Sequence, residues 1–153
     1  MAKKAKSSPT LTVKHIGVFS FSIRHNNYNR KNPNVRFAVN NNLRFSVSDN
    51  IINLILLVTY HHPESEPFLL MEIENIFELT ELGTFINQRT NDITPAEMNI
   101  PENVLINIAS ISFSHARAVV GQHTAGTPIQ HIYLPIIDGR DFARNIFGEE
   151  KVK

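Results

Sequence analysis

The stretch NIPENVLINIASISFSHARAVVGQHTAG, Asn99 to Gly126, constrains this chain more than any other. Asn99 is a candidate N-cap, Pro101 falls in the first turn, Glu102 suits the positive end of the helix dipole and Gly126 supplies a stop. With successive residues about 100° apart, Val104, Ile111, His115 and Val119 fall close to Ile108. Leu105, Ala109, Ala116, Val120, Phe113 and Ile106 widen that apolar arc, and only Asn103, Asn107, Ser110, Ser114, Arg117 and Gly121 make a polar strip. An ordinary surface helix buries one stripe. This one asks for cover on more than one side, between two layers, one of them from another copy of the chain.

Ahead of the helix the periodicity changes from helical to alternating. Leu11, Val13, His15, Gly17, Phe19, Phe21 and Ile23 share one face of an expected strand, with Ile16 and Val18 apolar on the nominally wet face. Arg24 to Asn34 is an asparagine-rich loop, longer than a tight hairpin needs. Val35 to Val47 alternates most cleanly, and its Asn40-Asn41-Asn42 run suggests a bulge or kink. Ile51 to Tyr60 is apolar on both faces, which predicts a central strand. Phe68 to Leu79 alternates again, with Leu69, Met71, Ile73, Phe77 and Leu79 opposite Leu70, Glu72, Glu74, Ile76 and Glu78. The connections imply an antiparallel sheet, one face for the long helix and the other an apolar patch with acidic trim. A proline-bearing extended stretch follows Gly126. Then Asp138 caps a short final helix with an apolar face at Phe142, Ile146 and Phe147, with Asp141 as reciprocal partner and Gly148 as stop. The fold class is α+β: a four-stranded antiparallel sheet with a long helix and a short C-terminal helix on one face. The expected divisions are a disordered basic tail over residues 1–10, one domain over 11–148 and a short tail over 149–153.

Bulk properties bound the function. At 153 residues the chain is long enough for a real core, and a formal charge of +1 gives no reason to expect nucleic acid or an anionic membrane as partner. With no cysteine there is no disulfide, thiolate metal site or cysteine nucleophile. The N-terminus lacks the apolar segment of a secretory signal, and no apolar run invites membrane insertion. The expected location is cytoplasmic.

The residues give no positive sign of catalysis. There is no G-x-S-x-G, P-loop or G-x-G-x-x-G. His61 and His62 are adjacent in a loop without a further ligand at helical spacing, and His115 and His123 lie on different faces of the helix. We therefore expect no metal and no cofactor, with His115 a satisfied core residue. Glu72, Glu74 and Glu78 share a strand face and leave open a paired-carboxylate acid/base site, as in a hot-dog-like enzyme. The other reading of them is an acidic partner-binding edge.

Three pieces in order resemble the SecB family of protein-export chaperones. PFLLMEIENIF (Pro67 to Phe77) is similar to its last strand, at Leu70, Glu72 and Ile73. ISFSHARAVV (Ile111 to Val120) resembles its long-helix segment at Phe113, Ala116 and Arg117, with His115 replacing a tyrosine. GTPIQHIYLPIIDGRDFARNIF (Gly126 to Phe147) matches its closing segment at Gly126, Thr127, Pro135 and Phe142.

The resemblance implies a homotetramer, a dimer of dimers, with the long helices enclosed between two sheets. It implies an ATP-independent chaperone that holds unfolded polypeptide clients in apolar grooves and passes precursors to the motor ATPase SecA. Carried onto this sequence, the groove candidates are Tyr28, Phe113, Ile132, Tyr133, Ile136 and Phe142. The SecA-facing candidates are Leu70 and Glu72, and the oligomer-interface candidates are Ile106, Phe113 and Arg117. Ser20 and Arg24 stand where the family has acidic residues, and Tyr28 stands in for a tryptophan in the loop after the first strand. These departures set beside export a second expectation: a SecB-like chaperone that guards one client, such as an antitoxin.

Overall fold

The computed structural model describes residues 8–86 and 98–153. The basic tail over 1–7 and most of the sheet-to-helix connection, residues 87–97, lie outside the described residues.

Four strands, β1 (Leu11–Ile23), β2 (Arg36–Ser46), β3 (Ile51–His61) and β4 (Leu69–Leu79), form one antiparallel sheet in the order β1-β4-β3-β2. The connection over 62–68 brings β4 beside β3, and the short turn after β2 brings β3 beside β2. The last residue of that turn, Asn50, takes a positive φ of 59°, which asparagine tolerates better than most residues. The long 24–34 loop carries the chain from β1, beside β4, to the opposite edge. β3 is central, and its even-numbered residues Ile52, Leu54, Leu56, Val58 and Tyr60 are buried beside Leu69, Met71, Ile73, Phe77 and Leu79 of β4.

β1 departs from the expected alternation. Two register shifts, between Val13 and His15 and between Val18 and Ser20, place Ile16 opposite Asn75 and Val18 opposite Ile73, on the buried face of β4. The apolar residues on the supposed wet face are therefore on the helix side, and the bulges exchange them for His15 and Gly17. The expected bulge in β2 is absent: Asn40, Asn41 and Asn42 pair in continuous register with Leu57, Leu56 and Ile55.

The long helix, α1 (Glu102–Thr124), lies across β3 and β4. Val104, Leu105, Ile108, Ala109, Ser112, Phe113, Ala116 and Val120 are buried. The buried arc is thus centred near Leu105, Ser112 and Ala116, and Ile111, His115 and Val119 are only half-buried. By length and composition alone α1 is apolar enough to cross a membrane, although no run of that kind was expected; its inward side is packed on the sheet. Asn99 is not its cap. The helix starts two residues later than expected, with Pro101 at the cap position and no side-chain bond there, while the Asn99 amide donates to the Phe85 carbonyl at 2.6 Å.

The final helix, α2 (Gly139–Phe147), packs against α1. Asp138 accepts from the amides of Arg140 (2.7 Å) and Asp141 (3.3 Å), as expected of the cap. Asp141 is not its reciprocal partner and instead accepts from Arg144 at 3.0 Å. Packing continues past Gly148: Val152 is fully buried, its carbonyl accepts from Arg144 Nε at 3.1 Å, and Lys151 Nζ donates to the Met98 carbonyl at 2.6 Å.

Candidate functional site

The strand order decides what stays open. Because β2 is an edge and α1 sits over β3 and β4, the helix-facing side chains of β2 are incompletely covered. Phe37 remains 42% exposed. Together with Val39 it faces Phe113 of α1, Ile137, and Asp138, Asp141, Phe142 and Asn145 at the start and along one side of α2. These residues line an open groove of about 400 Å³ with an apolar floor and an acidic rim. Phe113 and Phe142 meet edge-to-face at 5.1 Å and 70°, which fixes the angle between the helices at the floor. A smaller recess shares Phe113 and Ile137 with the groove and adds Ser114, Arg117 and Ile136.

Of the expected groove residues, Phe113 and Phe142 lie in the groove and Ile136 lies beside it. Tyr133 and Ile136 are strongly exposed, at 72% and 83%, whereas Ile132 packs partly against the core. Tyr28 belongs to a separate cluster: its ring is 4.9 Å from Phe68 and stacks on His62 at 5.7 Å, and its hydroxyl is 3.4 Å from His131 Nε2. Residues 131–137 thus begin at the Tyr28 hydroxyl and end in the groove at Ile137, joining the two apolar sites. Phe37, Val39 and Ile137 were missed. For Phe37 and Val39 the signal was the clean alternation of β2, which marks a face for burial but does not reveal that the strand is an edge.

The expected interface residues all make contacts within the chain. Arg117 Nε donates to the Leu134 carbonyl at 3.1 Å and holds the 132–138 segment to α1. Ile106 lies beneath the start of α2, where α1 and α2 come so close that a Cβ on Gly139 would fall 1.9 Å from Ser110 Oγ. Phe113 is engaged by Phe142.

His115 is not a core histidine. It lies at the flank of α1, and its Nδ1 donates to Asn75 Oδ1 at 3.1 Å, while the fully buried Asn75 reaches the Leu54 carbonyl at 3.4 Å. Burial pushes the imidazole below its ordinary range.

The outer sheet face carries Leu70, Glu72, Glu74, Ile76 and Glu78 of β4, all half-buried. Glu74 accepts from Asn53 at 2.6 Å and Glu78 pairs with Lys14 at 3.0 Å. Glu72 lines a shallow cavity of about 490 Å³ with Phe19, Asn40, Asn42, Arg44, Ile55 and Leu57. The carboxylates are spread along the strand with different partners rather than facing one another. Among the described residues no group of three or more metal-ligating side chains comes together.

No family model matches the sequence, and no curated protein matches it either. Among solved structures, the Mycobacterium tuberculosis Rv1957 SecB-like chaperone, in complex with a ChAD peptide from the Rv1956 HigA1 antitoxin, is similar in fold. Its TM-score is 0.53 at 9% identity, over 83% of this chain and 90% of that one. A protein of unknown function from Streptococcus agalactiae has a TM-score of 0.43 at 10% identity, over 86% of this chain and 99% of that one. The fold is SecB-like: four antiparallel strands with a long helix and a short C-terminal helix on one face.

Proposed function

We propose that this chain is an ATP-independent holding chaperone that binds extended apolar segments of unfolded polypeptides in the groove between β2, α1 and α2. The observation that carries the reading is the open groove itself, with Phe37, Val39, Phe113, Ile137 and Phe142 as its floor. Such a floor binds by apolar area rather than by a fixed pattern of polar contacts, which suits clients of many sequences. The SecB-like fold supports the same reading, since the similar Rv1957 protein is itself described as a chaperone.

A second, narrower reading is a chaperone dedicated to one client. It is favoured by the peptide in that neighbour, which comes from an antitoxin. Within the general reading, export would use the outer sheet face, with Leu70 and Glu72 meeting SecA. Assembly as a dimer of dimers would cover the half-buried flank of α1 together with Val13 and Ile16, which are 41% and 38% exposed. The expected cytoplasmic location belongs to this proposal.

The test is aggregation of a chemically denatured substrate without nucleotide, at several-fold excess of this protein. Wild type suppresses the light scattering, and Phe37→Asp, on a partly exposed edge strand, loses most of that suppression while keeping its circular dichroism. If wild type leaves scattering unchanged, or Phe37→Asp acts like wild type, the groove reading fails. A dedicated chaperone would ignore generic substrates and bind a single peptide.

A further inference from the structure

We propose that His62 is a positioning residue whose neutral ring clamps the 29–34 stretch of the loop between β1 and β2, and that uptake of a second proton releases it. The coupling of this latch to client holding rests on the chaperone reading above; the latch itself does not.

His62 follows the last residue of β3 and is 3% exposed. Its Nδ1 lies 2.8 Å from the Asn34 carbonyl oxygen and its Nε2 lies 3.0 Å from the Asn29 backbone nitrogen. A carbonyl only accepts and an amide only donates. Nδ1 must therefore carry the hydrogen and Nε2 the lone pair, so the partners fix a single neutral tautomer. The ring thus ties down both ends of the stretch from Asn29 to Asn34. Tyr28 stacks on it nearly parallel, at 13°, and Phe68 tilts against it at 5.2 Å.

Protonation of Nε2 sets its N–H against the Asn29 N–H. One hydrogen bond is lost, two donors oppose each other, and a cation is left in a nearly closed aromatic site. The clamped stretch itself carries two cations, Arg30 and Lys31, and the loop after His62 carries Glu64 and Glu66, which are exposed and not bonded to the ring. Tyr28 stacks on the ring, and beyond its hydroxyl lies His131. Among the described residues His62 has no ion pair and no carboxylate hydrogen bond. The stable response is for the stretch to leave the ring, taking Tyr28 from its place beside His131. Because residues 131–137 end in the groove at Ile137, acid loosens the wall of the site as well as the loop.

The experiment uses the full chain. A long-range 1H–15N spectrum of the histidine rings at neutral pH should show His62 protonated on Nδ1. On going from about pH 7.5 to about pH 5, the protection factor of the Asn29 amide should fall about tenfold or more in wild type. In His62→Gln, whose carboxamide oxygen still accepts from Asn29, it should change less than about twofold. An Nε2-protonated ring, or Asn29 protection that stays flat with pH in wild type, overturns the latch; neither observation depends on the variant folding. Client holding should weaken in acid for wild type and not for His62→Gln. Holding that stays constant while the loop opens overturns the coupling. If the spectra behave as stated but no client is held at any pH, the chaperone reading falls and the latch stands.

Discussion

Replacing Gly139 by alanine should destabilise this protein, although helix propensity alone gives the opposite sign. Gly139 is the first residue of α2, and alanine there gains at most about 1 kcal/mol in helix propensity. The added methyl, however, would sit 1.9 Å from Ser110 Oγ and 3.2 Å from Ser110 Cβ. The hydroxyl can rotate, but the Cβ contact is still tight, so α2 must lift from α1. Overpacking of this kind costs about 1–3 kcal/mol, for a net loss of up to about 2 kcal/mol even after the full propensity gain. The assay is the urea midpoint of Gly139→Ala, Ser110→Ala and the double variant at unchanged m-value, read as a double-mutant cycle. Ser110→Ala removes the hydroxyl but keeps the Cβ, so it should recover only part of the loss in the double variant. If Gly139→Ala raises the midpoint by itself, or if Ser110→Ala recovers nothing, the helices do not approach as described. The groove floor, which depends on Phe142 meeting Phe113 across the same pair, would then need a different geometry.

Two further outcomes follow from polar groups that burial shifts. The Tyr60 hydroxyl is buried with no hydrogen-bond partner among the described residues, and burial pushes its pKa up to about 12. Tyr60→Phe should be neutral or stabilising by up to about 1 kcal/mol. It should also remove an alkaline loss: a raised folded-state value means stability present below pH 10 that fades between 10 and about 12, seen in urea midpoints against pH. His115 is shifted the other way. Its folded-state value is depressed by burial, so below about pH 6.5 the unfolded chain binds more protons and stability falls with acid. His115→Gln, which can keep a donor on Asn75, should flatten that acid limb; an unchanged limb would place the proton uptake elsewhere.

Much of this fold is legible in the sequence, and the exceptions have physical causes. The four strands, the long helix and the Asp138-capped final helix follow from periodicities of two and 3.6 residues and from a side-chain cap, all local signals. The bulges of β1 were not legible, because Ile16 and Val18 look misplaced until pairing with β4 shows which face they share. The bulge expected at Asn40–Asn42 failed for a related reason: asparagine disfavours strands, but pairing with Leu57, Leu56 and Ile55 of β3 outweighs that preference. The arc of α1 was displaced, since a helical wheel weights hydrophobicity and cannot see that small residues, Ala109, Ser112 and Ala116, are what let the helix lie close to the sheet. In the groove, Phe113 and Phe142 emerged from family resemblance. Phe37 and Val39 required the strand order, and the bonds of His62 required the path of the loop.

The most direct test of the central claim is methyl NMR of the full chain titrated with an unfolded polypeptide rich in aliphatic and aromatic residues. The groove account predicts shift changes at Val39 and Ile137, with Leu70 and Ile76 on the outer sheet face unchanged. Changes confined to Leu70 and Ile76, or none at saturating polypeptide, would contradict it.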